Sequence, residues 1–312
     1  MISVAEALAH VTSNFSPVDP ETVALTDGLG RVLAHDLASK VSHPPAAVSS
    51  MDGYAVRAAD TPGVLKLIGE SQAGGGFAGT VGAGETVRIF TGAPLPKGAD
   101  AVVMQENTET AEDGVRMIEG VPEGKFIRPA GMDFSVGDVL LKAGTVLNAR
   151  HIGLAAAMNA PELIVRRKPR VAILATGDEV VMPGHPMGPS QIVSSNSFLL
   201  AAFVRALGGE PVNLGIAGDT VDQLSTAIDG ALGCDLMITI GGVSVGDYDL
   251  VGKVLKDAGL RQIFYKIAMR PGKPLLFGTL DGRFGGMPVL GMPGNPVSTG
   301  VCSVLFLKPA LA

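Results

Sequence analysis

No tryptophan occurs in the 312 residues, aromatics amount to 4%, and there are only two cysteines. Cores built from this chain must therefore be aliphatic, and a hydrophobic content of 46% supplies them. Cys234 and Cys302 stand outside any C-x-x-C spacing. They exclude a disulfide framework and read as small core residues of a reduced, cytoplasmic protein. The five histidines, His10, His35, His43, His151 and His185, show no zinc-ligand spacing. Lysine and arginine never run longer than Arg166-Arg167-Lys168, and the net charge is −6. A nucleic-acid partner, which requires a basic face to neutralise phosphates, is excluded. No apolar run nears the ~20 residues that cross a bilayer, so no membrane partner is expected. Met1 to Glu6 has neither the basic start nor the apolar stretch of a signal peptide. A Walker A sequence is missing too, which removes the ordinary P-loop ATPases.

What the chain has in quantity is turn residues, 42 glycines and 21 prolines. Ser3-Val4-Ala5-Glu6 is a capping box that opens a helix through about Val11. Val23–Leu25 reads as a strand, and Gly30–Leu37 as a short helix. From about Ser39 to Val136, β-branched pieces such as Thr86–Phe90, Ala101–Met104 and Val115–Ile118 alternate with Gly/Pro turns, the texture of an inserted all-β domain. Gly74–Gly79 fits G-x-G-x-x-G there, but no helix follows, so it is a turn and not a dinucleotide site. Asn148–Met158 makes a helix stopped by Asn159 and Pro161. These pieces give three domains: residues 1–38 with 137–168 as a small mixed α+β domain, 39–136 as the β insertion, and 169–312 as an α/β domain with a doubly wound, mostly parallel sheet.

The α/β domain turns on one stretch. Leu236–Ile240 is a short apolar run of buried-strand character, broken by Gly241, Gly242 and Gly246 and followed, after Asp249 at an N-cap position, by Leu250–Gly259 at helical spacing. Strand, glycine loop and helix in this order form a ligand site in an open α/β sheet. Backbone N–H groups there favour an anion, and Asp247 and Asp249 suit a cation such as Mg²⁺. Gly242–Gly246 also matches the G-x-S-x-G nucleophile elbow, but that enzyme needs a histidine after the serine, and the last histidine is His185. Ser244 is therefore read as a loop hydroxyl contacting ligand or backbone.

Four loops, at 176–179, 215–219, 241–249 and 291–296, follow strands, and parallel strands would gather them on one edge. Taken singly, each aspartate caps a helix and each glycine makes a turn. Together they bring Asp178, Glu179, Asp219, Asp247 and Asp249 to face Lys266, Arg270 and Lys273, which suits a polyanion held through Mg²⁺ and basic contacts.

Across essentially its whole length the sequence resembles the molybdopterin molybdotransferase family, which includes bacterial MoeA and the gephyrin E-domain. The segments that carry the resemblance are Ser50–Val56, Arg88–Pro94, Val102–Glu106, Ile127–Asp133, Thr176–Glu179, Gly241–Asp249, Arg270–Pro274 and Pro293–Ser298. The resemblance implies a MogA-like α/β domain and insertion of molybdate into adenylyl-molybdopterin with release of AMP, aided by Mg²⁺. It also implies an elongated homodimer whose active site lies between the β domain of one subunit and the α/β domain of the other. Matched motif by motif, Asp52, Asp133, Glu179, Asp249, Lys266 and Arg270 would act in catalysis. Thr91, Arg128, Thr176, Gly177, Asp219, Gly241, Gly242, Ser244, Gly246, Lys273, Pro293 and Pro296 would bind the pterin nucleotide, and Glu179, Asp219 and Asp249 the metal. Where relatives carry a basic residue, this chain has Ala130. The family ordinarily continues into a small β-barrel domain, and with the sequence ending at Lys308–Ala312 that domain is expected to be absent. Two other readings remain beside transfer of molybdenum: adenylylation of molybdopterin, whose enzyme has a similar α/β domain and is also a candidate partner, and a scaffold role such as that of gephyrin.

Overall fold

A computed structural model describes residues 1–241 and 250–312. The chain falls into two compact units, residues 1–21 with 166–312, and residues 22–165.

The first unit is built on a six-stranded sheet in the order Glu210–Ala217, Arg170–Thr176, Leu236–Ile240, Met287–Met292, Leu276–Leu280, Leu260–Tyr265. The first four strands are mutually parallel. Leu276–Leu280 runs antiparallel to both its neighbours, so Leu260–Tyr265 again points the same way as the first four. The mostly parallel sheet expected from the alternating pattern is present. Both faces are covered, as such a sheet requires. Val171, Ile173, Ile238, Ile240, Leu290 and Met292 pack on one side against Leu200 and Val204 of the Asn196–Ala206 helix. Ala172, Leu174, Met237 and Val289 pack on the other against Leu224, Ile228, Val251 and Leu255 from the helices Val221–Asp229 and Leu250–Asp257. Strand alternation thus feeds two cores from one sheet.

The Val4–Thr12 helix carries its expected capping box, with Ser3 and Glu6 bonded reciprocally. It does not join residues 137–168 in a small domain. Ala7 and Val11 are fully buried in the core under the sheet, with Cys302 and Phe306, because its apolar stripe is the cover that this face needs. Burial pushes the Cys302 thiol up to about 11, so it is an inert core residue.

The second unit contains a six-stranded sheet in the order Ala101–Met104, Gly53–Val56, Glu85–Ile89, Gly63–Ser71, Gly114–Met117, Thr108–Ala111. Alternate residues serve two cores, Ala55, Val87, Ile89 and Val102 in one, and Val56, Leu65, Val103 and Met117 in the other. Beside it, Leu33, Leu141, Leu147, Ala155 and Leu163 form a third core around the Ala149–Ala157 helix. The helix expected at Gly30–Leu37 does not form. Gly30 takes φ +75°, and Val32 and Leu33 bridge to Val146 and Val165 instead. Its apolar residues lie next to one another and find partners on two extended segments, which a helix would deny them.

Candidate active site

Strand register places the carboxyl ends of the parallel strands in one row. Ala217 pairs with Thr176, Ala175 with Ile240, Ile240 with Met292, Gly291 with Leu276, and Leu276 with Tyr265. The loops that leave this edge are bonded to one another. Gly177 N–H donates to the Ala217 carbonyl at 3.2 Å, Gly241 N–H to the Met292 carbonyl at 3.2 Å, and the buried Thr176 hydroxyl to the Ile240 carbonyl at 3.2 Å. Asp219 N–H donates to Asp178 Oδ1 at 3.1 Å. Of the loops expected at 176–179, 215–219, 241–249 and 291–296, these bonds join the described starts of all four, while residues 215–217 and 291–292 are strand and not loop. Gly242, Ser244, Gly246, Asp247 and Asp249 lie outside the described residues.

Glycine is required at Gly177, where φ is +122° and a Cβ would run into the Glu179 carboxylate. The two exposed carboxylates Glu179 and Asp219 thus sit on neighbouring loops at one end of the row. Among the described residues no group of three His, Cys, Asp or Glu side chains could hold a metal ion. A pair of hard oxygen donors is nevertheless what Mg²⁺ takes from a protein when phosphate oxygens and water complete its shell. At the other end, Lys266, Arg270 and Lys273 lie in the segment joining Leu260–Tyr265 to Leu276–Leu280. Lys266 N–H bonds the Leu275 carbonyl, its backbone takes φ +73°, and its ammonium lies 5.3 Å from the Tyr265 ring. With six strands about 4.8 Å apart, five spacings separate the Asp219 end from the Lys266 end, roughly 24 Å.

Between them, Pro293 and Pro296 frame a helix start. Pro296 is the first residue of the Pro296–Cys302 helix, where its missing N–H costs nothing, and Asn295 Oδ1 accepts from Ser298 N–H at 3.1 Å. The Pro293 carbonyl accepts from the Thr299 hydroxyl at 2.6 Å. One polar residue here escaped the sequence reading. Asn196 donates from Nδ2 to the Gly294 carbonyl at 2.7 Å, while its buried Oδ1 has no hydrogen-bond partner among the described residues. A lone asparagine at a helix start gave no signal beyond capping.

The second unit holds two further clusters. Asp52 Oδ1 accepts from Thr91 N–H at 2.7 Å and from the Thr91 hydroxyl at 2.8 Å. The backbone bond, then the hydroxyl, hold its carboxyl below the ordinary value, with a smaller contribution from Arg88. Gly53 beside it is fixed by packing, because a Cβ would strike the Val103 carbonyl. Asp133 Oδ2 lies 2.8 Å from His43 Nδ1, and Arg128 reaches both carboxylate oxygens, at 3.0 and 2.8 Å. His43 first, and Arg128 with it, keep this carboxyl below its usual range against the raising effect of desolvation. The clusters are neighbours. Ser49 exchanges backbone bonds with Gly92 and Ala93 on one side and pairs with Ile127 on the other, while Val48 pairs with Arg128.

Residues 2–159 match the family model of the MoeA N-terminal region (domain I and II), and residues 172–312 match a probable molybdopterin binding domain. The molybdopterin molybdenumtransferase of Nostoc sp. is 40% identical over 305 residues, covering 95% of this chain and 70% of that protein. The chain belongs to the molybdopterin molybdenumtransferase family. Molybdopterin molybdenumtransferase 2 of Mycobacterium tuberculosis is 39% identical and is matched over 100% of this chain and 79% of its own length. A crystal structure of the molybdopterin biosynthesis MoeA protein of Pyrococcus horikoshii superposes with a TM-score of 0.89 at 34% identity, over 100% of this chain and 79% of that one. As a family member, this chain is a transferase of molybdenum cofactor biosynthesis. No helix among the described residues is long and apolar enough to cross a membrane.

Proposed function

We propose that the chain inserts molybdate into adenylyl-molybdopterin and releases AMP. The observation that carries this reading is the row of loops along the α/β sheet, with carboxylates at one end and three cations at the other. A ligand reaching both ends must be long, and adenylyl-molybdopterin, with its pterin and adenylate parts joined through a phosphoanhydride, has the required length and negative charge. Lys266, Arg270 and Lys273 would bind the incoming molybdate anion, at the end of the row away from the phosphoanhydride, and charge-assisted contacts of this kind are each worth roughly 1.5–3 kcal/mol. The Asn196 acceptor, unpaired among the described residues, would take an N–H of a bound heterocycle. Glu179 and Asp219, with Asp249, would hold Mg²⁺, which when bound neutralises phosphate charge.

Asp52 and Asp133 are held ionised in a different unit of the chain, and molybdate insertion requires groups beside the reacting atoms in addition to those that bind the nucleotide. A homodimer in which the β unit of one protomer serves the α/β unit of its partner would combine the two sets. An adenylyltransferase supplying the adenylylated pterin would be the natural cytoplasmic partner. The test is release of AMP from adenylyl-molybdopterin on addition of molybdate to the purified chain. AMP release that ignores molybdate would overturn the reading.

A further inference from the structure

Asn196 opens the Asn196–Ala206 helix and is only 8% exposed. Its amide is held in one orientation, because Nδ2 donates to the Gly294 carbonyl at 2.7 Å. Oδ1 can then only accept, and it has no partner among the described residues. The hydroxyls of the neighbouring segments are engaged elsewhere. Ser194 and Ser197, both buried, bond each other at 3.0 Å. The Thr299 hydroxyl donates to the Pro293 carbonyl at 2.6 Å and reaches the Asn295 carbonyl at 3.0 Å. A buried acceptor without a donor is costly, and a bound molecule can supply the donor.

Two features beside Asn196 define that molecule. No side chain caps the helix start at Ser195, so the first N–H groups of this 11-residue helix remain donors for a ligand. A donor and an acceptor are thus offered side by side. Glycine forms the floor. A Cβ built on Gly294 would have only the Gly241 Cα within 4.0 Å among the described residues, so two loops meet there as bare backbone with room for a flat ring. Along the row, Asp219 follows the first strand, Gly294 the fourth and Lys266 the sixth. A substrate with its phosphoanhydride at the acidic end and its metal-accepting part at the basic end has its pterin between them.

We propose that Asn196, the uncapped start of its helix and the floor of Gly241 and Gly294 form the subsite that reads the lactam edge of the pterin. Asn196 Oδ1 accepts from the ring N–H, and a helix N–H donates to the adjacent ring carbonyl. Adenine also carries a donor beside an acceptor, and the position along the row gives the subsite to the pterin. The proposal rests on adenylyl-molybdopterin being the substrate, and the experiment separates the two.

Calorimetry compares 6-hydroxymethylpterin, 2,4-diamino-6-hydroxymethylpteridine and AMP on the native chain, Asn196→Ala and Gly294→Ala. The diamino ring has an acceptor where the pterin has its N–H, and a donor where the pterin has its carbonyl. The native chain should bind the pterin about tenfold more tightly than the diamino ring, or better. Asn196→Ala should weaken the pterin about tenfold, bring the two pteridines within about twofold of each other and leave AMP unchanged. Gly294→Ala, whose surroundings admit a methyl group, should keep the native unfolding temperature and also weaken the pterin about tenfold. A native chain without preference for the pterin overturns the subsite before any variant is made. A folded Asn196→Ala that keeps the native ratio overturns it too. Loss of AMP binding in Asn196→Ala, with the pterin retained, overturns the assignment to pterin and gives the edge to adenine. If AMP release from adenylyl-molybdopterin ignores molybdate while the pteridine pattern holds, the proposed reaction fails and the subsite stands.

Discussion

At the scale of single residues, ionised side chains in this protein are fixed by a few short bonds. Asp235 is the structural example. Arg167 meets it with two nitrogens at 2.7 and 2.6 Å, and Arg170 N–H donates at 2.7 Å. Burial raises the Asp235 carboxyl, but the Arg167 and Arg170 bonds outweigh it, so the folded value lies below the ordinary one. A depressed carboxyl contributes stability that is present above its unfolded value near 4 and lost as pH falls through the folded value. Asp235→Ala should therefore cost about 1–2 kcal/mol at neutral pH, after allowance for solvent screening. Denaturant titrations should show that gap closing below about pH 4. A gap that stays constant into acid would contradict this. Asp52 and Asp133 are held by the same chemistry, but Thr91 lies 39 residues from Asp52 and His43 lies 90 residues from Asp133. No local pattern announces such pairs. Asp52 and Thr91 enter the reading only through a family resemblance, and His43 not at all, because the backbone pairing of its segment with Phe134 is long-range.

Elements were far more legible than residue pairs. Leu236–Ile240 is buried at every position, as an unbroken apolar run between glycines implies for a parallel strand. Parallel strands separated by helices fix which ends carry loops, so the carboxylates and cations could be gathered on one edge before any coordinates. What periodicity could not deliver was extended backbone that finds its partner far along the chain. Gly30–Leu37 carries helix-compatible spacing and is not a helix. The two-residue pairs Val180–Val181 with Ile192–Val193 and Val48–Ser49 with Ile127–Arg128 were too short to read. Glycine at the edge is the element-level feature with a direct consequence. Gly177→Ala forces a side chain into φ +122° and pushes the Glu179 carboxylate aside. It should cost about 1–3 kcal/mol and lower turnover by roughly tenfold or more. Thermal unfolding and kcat measured on the same variant check both. A variant with native kcat would remove Glu179 from the catalytic account.

On the scale of the whole molecule, the alternation of strands and helices from Arg170 predicted the doubly wound sheet, and the Gly/Pro-broken β texture predicted the inserted strands. The N-terminal helix went to the wrong partner, because its stripe fits any apolar face and only the assembled sheet shows which face lacked cover. A composite site in a homodimer predicts complementation. An Asp52→Asn chain and a Lys273→Ala chain, each nearly inactive alone, should recover up to about a quarter of native activity in a statistical mixture of dimers. Verified mixed dimers with no recovery would mean that each site is built within one chain.

The most direct measurement of the central claim is single-turnover release of AMP from adenylyl-molybdopterin, with and without molybdate, by the native chain and by Lys273→Ala. AMP release should depend on molybdate, leave a molybdenum-loaded pterin detectable by mass spectrometry, and fall about tenfold or more in Lys273→Ala. AMP release at the same rate without molybdate, or net consumption of ATP with molybdopterin in place of AMP release, would contradict it.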